Sequence, residues 1–309
     1  AITGPGHGTD IALLMGLSGV DPVTVPIEEV QRLPDRIRKS GGLTLPDGRT
    51  IDFLPDRDII YHCESQLSFH ANGMIFSAFA GPGREGLIRQ STMYSVGGGF
   101  VVREEEEVYG EESSEAPYPV SSGSDLLGYC EREGLSLAQI IRRNERILRS
   151  DEEIDSGLLT IWEVMREAIF RGCRTRGTLP GGLDVSRRAP DLFSRVLPLS
   201  QGAFASADEW AAHLATGSYS FTLILKLVGA FAIAVNEENA SFGRIVTAPT
   251  NGSAGVIPAV LAYFVYLSDR AGQIAPEEIV DFLLVAGAVG AVFKLTASIV
   301  QPLVIALLL

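Results

Sequence analysis

The sequence predicts an α+β fold, in which an N-terminal mixed α/β domain is followed by an all-helical domain. Three observations lead to this prediction: short helix and strand signals fill the region before residue 104, an acidic and Ser/Pro-rich stretch follows, and helical periodicity dominates afterwards. The chain has 309 residues, which at roughly 150 residues per domain indicates two domains. We expect the domains to cover residues 1–115 and 126–309, with a linker at 116–125.

The first expected element is a short apolar helix that follows a glycine-rich loop. Residues 4–8 are Gly-Pro-Gly-His-Gly, and the apolar run at 10–17 predicts a helix with Thr9 or Asp10 as its N-cap. His7 would lie beside unpaired backbone N–H groups and the positive end of a helix dipole, which together hold a carboxylate or phosphate. A histidine in that place can move a proton on a bound acid. The alternative is a capping loop with an incidental histidine.

Strand signals that contain glycine follow this helix. Asn72 and Gly73 separate residues 68–71 from 74–77, a pattern typical of a β-hairpin with a type I′ turn. Another strand is expected over residues 94–102, which contain three consecutive glycines. Glycines inside a strand indicate a bulge or the close approach of a backbone or a ligand.

Helical signals dominate the second half of the chain. Ser136 with Gln139, and Ser150 with Glu153, each fit a capping box at the start of an amphipathic stretch. Apolar residues three or four positions apart mark one helical face over residues 154–169. The rest of the chain is expected to be mostly helical.

Composition and charge exclude several classes of protein. Lys and Arg number 25 against 38 Asp and Glu, and the net charge of −13 opposes binding to nucleic acid or to an anionic lipid surface. The cysteines, Cys63, Cys130 and Cys173, form no CxxC pair and indicate free thiols in the cytoplasm. The uncharged runs at 255–267 and 282–293 are shorter than the roughly 18 residues of a membrane-spanning helix, so we expect buried helices and no membrane partner.

A second candidate site lies at residues 243–252, where a short apolar segment and a turn lead into a helix expected to begin near Ser253. Residues 236–239, Asn-Glu-Glu-Asn, precede it in an apolar helical region and must be satisfied by the backbone or by a ligand. Residues 179–183, Leu-Pro-Gly-Gly-Leu, are followed by the arginine pair 187–188 and form a third unusual segment. That segment is equally consistent with a turn that carries solvated arginines.

Spacing favours neither a histidine metal site nor a pyridoxal site. The histidines lack the spacing of metal ligands and lie at positions 7, 62, 70 and 213. A pyridoxal enzyme needs a lysine for its Schiff base, and none of Lys39, Lys226 and Lys294 lies in a Gly/Ser-rich phosphate loop. Lys226 and Lys294 fall in apolar helices, where snorkelling or a buried partner is the simpler interpretation. A pyridoxal-dependent dehydratase is the second enzyme alternative.

Seven stretches, in order along the chain, carry a resemblance to a known family. They lie at residues 6–10, 70–74, 94–100, 179–183, 187–189, 234–240 and 243–252. The last two are the most specific and read Ala-Val-Asn-Glu-Glu-Asn-Ala and Gly-Arg-Ile-Val-Thr-Ala-Pro-Thr-Asn-Gly. In sequence, order and spacing these stretches resemble the bacterial iron–sulfur-dependent L-serine dehydratases, and the similarity extends from residue 4 to about residue 299.

The resemblance implies a fold and an activity. It implies a single-chain enzyme with an N-terminal domain of the allosteric substrate-binding type and a C-terminal helical catalytic domain. It also implies conversion of L-serine to pyruvate and ammonia in serine catabolism and gluconeogenesis, with a [4Fe-4S] cluster as Lewis acid on the substrate hydroxyl. In that mechanism a base removes the α-proton, hydroxide leaves toward iron, and the aminoacrylate hydrolyses. We expect the partners to be L-serine and a second copy of the chain, as a homodimer.

The resemblance also supplies the expected site residues. His7 matches a histidine implicated in the family's active site, and we expect His7, Thr9 and Asp10 to be catalytic. The turn at Asn251 matches the family's substrate-binding region. The expected substrate-binding residues are His70, Asn72, Gly98, Gly99, Thr250, Asn251 and Gly252.

Two departures from the family pattern concern the cluster and the ends of the chain. The family's Ser-Ser-Ser-His-Thr motif, which precedes the His7 loop, does not occur in these residues. The family's cluster cysteines follow Ala-Ser-Ile-Ser-Gly-Ala-Glu, whereas residues 297–302 are Ala-Ser-Ile-Val-Gln-Pro. We therefore expect a chain truncated at both ends, without metal ligands and inactive as given. The alternative is a non-catalytic serine-binding or assembly module.

Overall fold

The computed structural model describes residues 8–62, 64–65, 67–81, 84–97, 100–104, 116–197, 204–247 and 251–296. The chain separates into two compact units, Ala1–Tyr109 and Gly110–Leu309. The first unit contains every named strand of the described residues, and the second contains helices. The predicted α+β class is therefore confirmed.

The first unit combines helices with two small antiparallel sheets. One sheet pairs β1 with β2, and the other has the order β3-β4-β5. A small core of Leu14, Met15, Leu33, Ile37 and Leu43 joins the first two helices to β1. The elements are α1 (Thr9–Leu17), α2 (Ile27–Ser40), β1 (Gly42–Thr44), β2 (Thr50–Asp52), α3 (Pro55–Asp58), β3 (Gly73–Phe79), β4 (Leu87–Gly97) and β5 (Phe100–Arg103).

Helix α1 forms where the apolar run predicts it, but its cap differs from the prediction. The N-cap residue is Gly8, whose φ of 72° lies in the left-handed region, and no side chain caps the helix. The Gly8 carbonyl accepts the first helical hydrogen bond from the Ala12 N–H at 3.0 Å. Glycine enters the left-handed region without a Cβ penalty, so Gly8 can take the N-cap position. Thr9 and Asp10 are then the first two residues of the helix itself.

The hairpin predicted at Asn72 and Gly73 is wrong. Gly73 is the first residue of β3, which pairs with β4 along its length, and residues 68–71 form no strand. The Asn72 carbonyl instead accepts a hydrogen bond from the Ser95 N–H at 3.0 Å, so its backbone joins the edge of the β3–β4 pairing. The longer β4 strand offers more backbone pairing than the short segment before Asn72, and the sheet forms with that partner.

The strand predicted over residues 94–102 is two strands. Gly97 at the end of β4 pairs with Phe100 at the start of β5, so the chain reverses direction between them. The register of this pairing shifts between Ser95 and Gly97, so an irregularity of the kind expected at the glycines is present at the end of β4. Gly98 and Gly99 lie outside the described residues.

The second unit is helical throughout its described residues, apart from one bridge between Thr178 and Ser186. Its helices are α4 (Gly123–Glu133), α5 (Leu137–Glu145), α6 (Asp151–Gly172), α7 (Ala189–Val196), α8 (Ala207–Thr216), α9 (Phe221–Ala240), α10 (Asn251–Tyr266) and α11 (Pro276–Thr296).

The predicted capping boxes are present at the start of two helices. The Ser136 hydroxyl accepts from the Gln139 N–H, and the Ser150 hydroxyl accepts from the Glu153 N–H, both at 3.2 Å. In each box the third residue's side chain accepts from the serine N–H in return. Ser122 and Asp125 form the same arrangement at the start of α4, which the sequence analysis did not single out.

The core of the second unit lies around α6, α9 and α10. Trp210 on α8 is 1% exposed, and its ring lies within 6.3 Å, between ring centroids, of Phe170, Phe193, Phe231 and Tyr266. In the described part of the chain, none of the helices combines the length and the apolar character needed to cross a bilayer.

Helices α6 and α9 approach closely at one glycine. A Cβ added to Gly172 would lie 2.5 Å from the Ala234 carbonyl oxygen, so only glycine fits at the end of α6. This approach brings the last turn of α6 beside the end of α9, where the Asn-Glu-Glu-Asn sequence lies.

Candidate functional site

Two consecutive carboxylates at the end of α9 are buried. Glu237 is 4% exposed and Glu238 is 3% exposed, whereas the neighbouring Asn236 side chain is exposed. Buried carboxylates are costly unless hydrogen bonds and opposite charges satisfy them. Both of these have such partners, so the protein itself satisfies the acidic pair.

Glu237 binds the start of helix α7. Its carboxylate accepts hydrogen bonds from the Arg188 N–H at 2.6 Å and the Ala189 N–H at 3.2 Å. Both N–H groups belong to the N-terminal end of α7, which lacks a side-chain cap of its own. A carboxylate at the positive end of a helix dipole is stabilising. Glu237 thus fixes the place where the 177–187 loop ends and α7 begins.

Glu238 binds two arginines from distant parts of the sequence. Its Oε1 accepts from Nη1 of Arg187 at 2.7 Å, and its Oε2 accepts from Nε of Arg171. The Arg187 side chain is only 8% exposed, so this ion pair is almost completely removed from water. Arg171 also donates from Nη2 to the Arg244 carbonyl oxygen at 2.9 Å. Arg171 therefore joins Glu238 to the segment that follows α9.

The segment after α9 packs directly against Glu238. The Gly243 N–H donates to the Glu238 carbonyl oxygen at 2.8 Å. A Cβ on Gly243 would lie 2.6 Å from Oε2 of Glu238, so a side chain there would displace the carboxylate. The absence of a side chain at Gly243 is therefore required by the ion pair.

The start of α10 lies against the end of α9. A Cβ on Gly255 would lie 2.7 Å from the Ala232 carbonyl oxygen and 2.8 Å from the side-chain amide of Asn236. Helix α10 begins at Asn251 and its second residue, Gly252, is exposed. Thr250 lies outside the described residues. Backbone N–H groups and the helix dipole at such an end attract a carboxylate.

Two of the site residues predicted in the first unit, Thr9 and Asp10, lie at the start of α1. Asp10 accepts a hydrogen bond from Nη2 of Arg38 on α2 at 2.7 Å. Burial and the nearby Asp10 charge raise the pKa of Tyr61. His7 lies outside the described residues. Asp10 is thus a carboxylate held in an ion pair between α1 and α2.

His70 and Asn72 lie together beside strand β4. The Asn72 N–H donates to Nδ1 of His70 at 3.1 Å, which fixes the orientation of the imidazole. The neighbouring Phe69 ring lies 4.7 Å from the Tyr94 ring, centroid to centroid. None of the hydrogen bonds found among the described residues joins His70 to the start of α1.

The described cysteines do not fit an iron–sulfur cluster. Cys130 on α4 is half-buried and Cys173 is buried after α6, and both are free thiols. Burial, with a smaller effect of the Glu237 charge, raises the pKa of Cys173, which opposes the thiolate that a metal needs. No group of three or more His, Cys, Asp or Glu side chains among the described residues is arranged to hold a metal. Cys63 lies outside that part of the chain.

Sequence analysis did not identify the partners of the acidic pair. Arg171 and Arg187 are separated from Glu238 by 67 and 51 residues, and no local pattern connects them. The only available signal was the pair itself, because two acids in an apolar helix require cations or N–H groups nearby. The arginine pair at 187–188 is consistent with solvated side chains in sequence, but Arg187 is buried against Glu238.

Both halves of the chain match family models. The model described as serine dehydratase beta chain matches residues 1–106, and the model described as serine dehydratase alpha chain matches residues 132–304.

Curated proteins are similar over nearly the whole chain. The L-serine dehydratase 2 of Escherichia coli is 41% identical over 303 residues, which cover 97% of this chain and 61% of that protein. The L-serine dehydratase of Streptomyces coelicolor is 41% identical over 96% of this chain and 61% of its own length. That of Helicobacter pylori is 33% identical over 97% and 62%, respectively. The chain thus spans 61–62% of the length of these relatives.

Proposed function

Because the chain belongs to the serine dehydratase family, we propose that its function is that of an L-serine ammonia-lyase, which converts L-serine to pyruvate and ammonia. The observation that carries this proposal is the match of the two units, in order, to the beta-chain and alpha-chain models. The relatives named above bear the name L-serine dehydratase and align over 96–97% of this chain. Serine catabolism that feeds gluconeogenesis is the corresponding physiological role.

We propose that the start of α10 binds the substrate carboxylate. Thr250, Asn251 and Gly252 would present backbone N–H groups at the positive end of the helix dipole. The exposure of Gly252 supports this role, because a ligand can approach the backbone there. The contact of Gly255 with α9 supports it further, because it holds this end of the helix in a fixed place.

In the first unit, we propose that His7, Thr9 and Asp10 are catalytic and that His70, Asn72, Gly98 and Gly99 bind serine. The ion pair of Asp10 with Arg38 supports an orienting role for Asp10 at the start of α1. A histidine at this place could move a proton on a bound acid, which supports a catalytic role for His7. The hydrogen bond from Asn72 to His70 leaves Nε2 of that ring as its remaining polar atom for a ligand.

A [4Fe-4S] cluster is the cofactor proposed for the complete enzyme, where it would act as a Lewis acid on the substrate hydroxyl. Among the described residues, Cys130 and Cys173 lie apart from any group of donors that could hold such a cluster. A homodimer in the cytoplasm is part of the same proposal. Free thiols at Cys130 and Cys173 support a reducing compartment.

Pyruvate formation tests the proposed activity. The 309-residue chain and the complete coding region that contains it are expressed separately. Both protein products are reconstituted anaerobically with iron and sulfide and then assayed with lactate dehydrogenase and NADH. We expect serine-dependent NADH oxidation from the complete product and none from the 309-residue chain. Absence of pyruvate from a cluster-loaded complete product would refute the activity. Cluster absorbance together with turnover in the shorter chain would refute its expected inactivity.

A further inference from the structure

A partly buried ion-pair network connects four separate parts of the second unit. Glu238 on α9 accepts from Arg171 on α6 and from Arg187 at the end of the 177–187 loop. Arg171 extends the network to the Arg244 carbonyl oxygen, in the segment between α9 and α10. The network therefore ends on the backbone that leads to the proposed substrate-binding end of α10.

We propose that Glu238 and Arg171 are positioning residues that set the conformation of residues 243–247 and, through it, the place of the first turn of α10. This inference rests on the proposed function only for the identity of the ligand at that turn. The residues themselves would not touch the substrate. Their role is to hold the backbone through which the α10 N–H groups are presented.

The geometry gives Arg171 a role that a single point charge cannot replace. Its Nε contacts Glu238 while its Nη2 contacts the Arg244 carbonyl oxygen, so the planar guanidinium spans two partners. A lysine ammonium is compact and has no fixed fork of donors, so it would keep the charge near Glu238 but lose the bridge. Replacement of Arg171 by lysine therefore separates the positioning role from simple charge balance.

The close packing at Gly243 provides the second link. Its N–H donates to the Glu238 carbonyl at 2.8 Å, and its Cα faces the Glu238 carboxylate with no room for a side chain. We therefore expect a change in the Glu238 side chain to shift the backbone of residues 243–247. Arg187 contacts the other carboxylate oxygen, Oε1, and so restrains rotation of the Glu238 side chain.

Hydrogen–deuterium exchange on the intact chain tests the proposal at the segment itself. The variants are E238Q and R171K, and the matched control is E145Q. It removes another buried carboxylate of the same unit, whose one hydrogen-bond partner among the described residues is Arg149. Exchange of peptides covering residues 243–257 is measured with and without L-serine, and the serine concentration that gives half of the maximal protection is determined. L-alanine, which keeps the carboxylate, is the second probe.

We expect faster exchange of residues 243–247 in E238Q and R171K but not in E145Q. The half-protecting concentrations of L-serine and L-alanine should rise together by about tenfold. This is the change expected when one hydrogen bond from an α10 N–H to the ligand carboxylate is lost. A purely structural role would lower the melting temperature of E238Q without raising the half-protecting concentrations.

Unchanged exchange of residues 243–247 in both variants would overturn the inference. So would an increase in the half-protecting concentration that E145Q shows equally. If the unsubstituted chain shows no serine-dependent protection while E238Q and R171K still exchange faster at 243–247, the positioning role is supported and the proposed substrate site is wrong.

Discussion

Two buried carboxylates of the helical unit are held in different ways. Glu145, at the end of α5, pairs with Arg149, four residues later, at 2.7 Å. Glu238 pairs with Arg171 and Arg187, which are 67 and 51 residues away in the sequence. The first pair connects residues within one turn of the chain, whereas the second connects α6, α9 and the 177–187 loop. The two carboxylates are similarly buried, but loss of the Glu238 pairs should destabilise more of the structure than loss of the Glu145 pair.

The largest expected effect is that of Glu238→Ala. This change leaves the Arg187 guanidinium, only 8% exposed, without its carboxylate. Removal of one partner of a buried ion pair costs about 3–5 kcal/mol in the free energy of unfolding. Urea denaturation followed by circular dichroism measures this loss. A loss no larger than that of the matching Glu145→Ala variant would show that the two pairs are equivalent.

A smaller effect is expected from Gly172→Ala, which acts on the spacing that brings Arg171 to Glu238. The added Cβ would lie 2.5 Å from the Ala234 carbonyl oxygen, so α6 and α9 must move apart. Overpacking of this kind costs about 1–3 kcal/mol. Chemical denaturation gives the value. Gly128→Ala on α4, where an added Cβ meets nothing within 4 Å, is the matched control and should not lose stability.

Glu145→Gln should change stability by less than about 1 kcal/mol at neutral pH, and in the stabilising direction. Burial raises the pKa of Glu145 in the folded protein despite the nearby Arg149, so the charged carboxylate is less favourable in the folded than in the unfolded state. That penalty is present above the folded pKa and vanishes as the pH falls below the ordinary value of 4.5.

Unfolding free energies of this variant and of the unsubstituted chain, compared from neutral to acidic pH, check the prediction. The difference should shrink as the pH falls. A difference that grows toward acidic pH would contradict it.

The smallest effect is expected for Asp125→Asn at the start of α4. Hydrogen bonds from Ser121 and Ser122 lower the pKa of Asp125 to about 2. The charged Asp125 carboxylate therefore stabilises the folded protein at pH values above its ordinary pKa of 3.8. This contribution is lost as the pH falls toward about 2. Melting temperatures measured across this acid range should therefore fall less steeply in the variant. Parallel curves for the two proteins would show that the capping carboxylate contributes nothing.

Local signals predicted the helical unit better than the sheet. The capping boxes at Ser136 and Ser150 depend on residues three positions apart, and both formed. The turn predicted at Asn72 and Gly73 is also a local signal, but β3 pairs with a strand that begins at Leu87. Long-range pairing thus overrode a turn preference, because a full strand offers more hydrogen bonds than a short one.

The candidate site was predictable only in part. The sequence shows that Glu237 and Glu238 need partners, but it does not show that Arg171 and the α7 backbone supply them, because folding brings these groups together from distant positions. The start of α10 was placed to within two residues, since the helix begins at Asn251 rather than near Ser253. The assignments to His7, Gly98, Gly99 and Thr250 stay predictions, because these residues lie outside the described part of the chain.

The adjacent positions of Glu237 and Glu238 restrict how the length of this protein can change in evolution. Successive residues of an α-helix point about 100° apart, so Glu237 meets α7 while Glu238 meets the arginines. An insertion or deletion between Ala234 and Glu237 would turn both carboxylates away from their partners at once. One between Glu238 and Gly243 would break the close packing of these two residues. Gaps among homologous sequences should therefore avoid the end of α9.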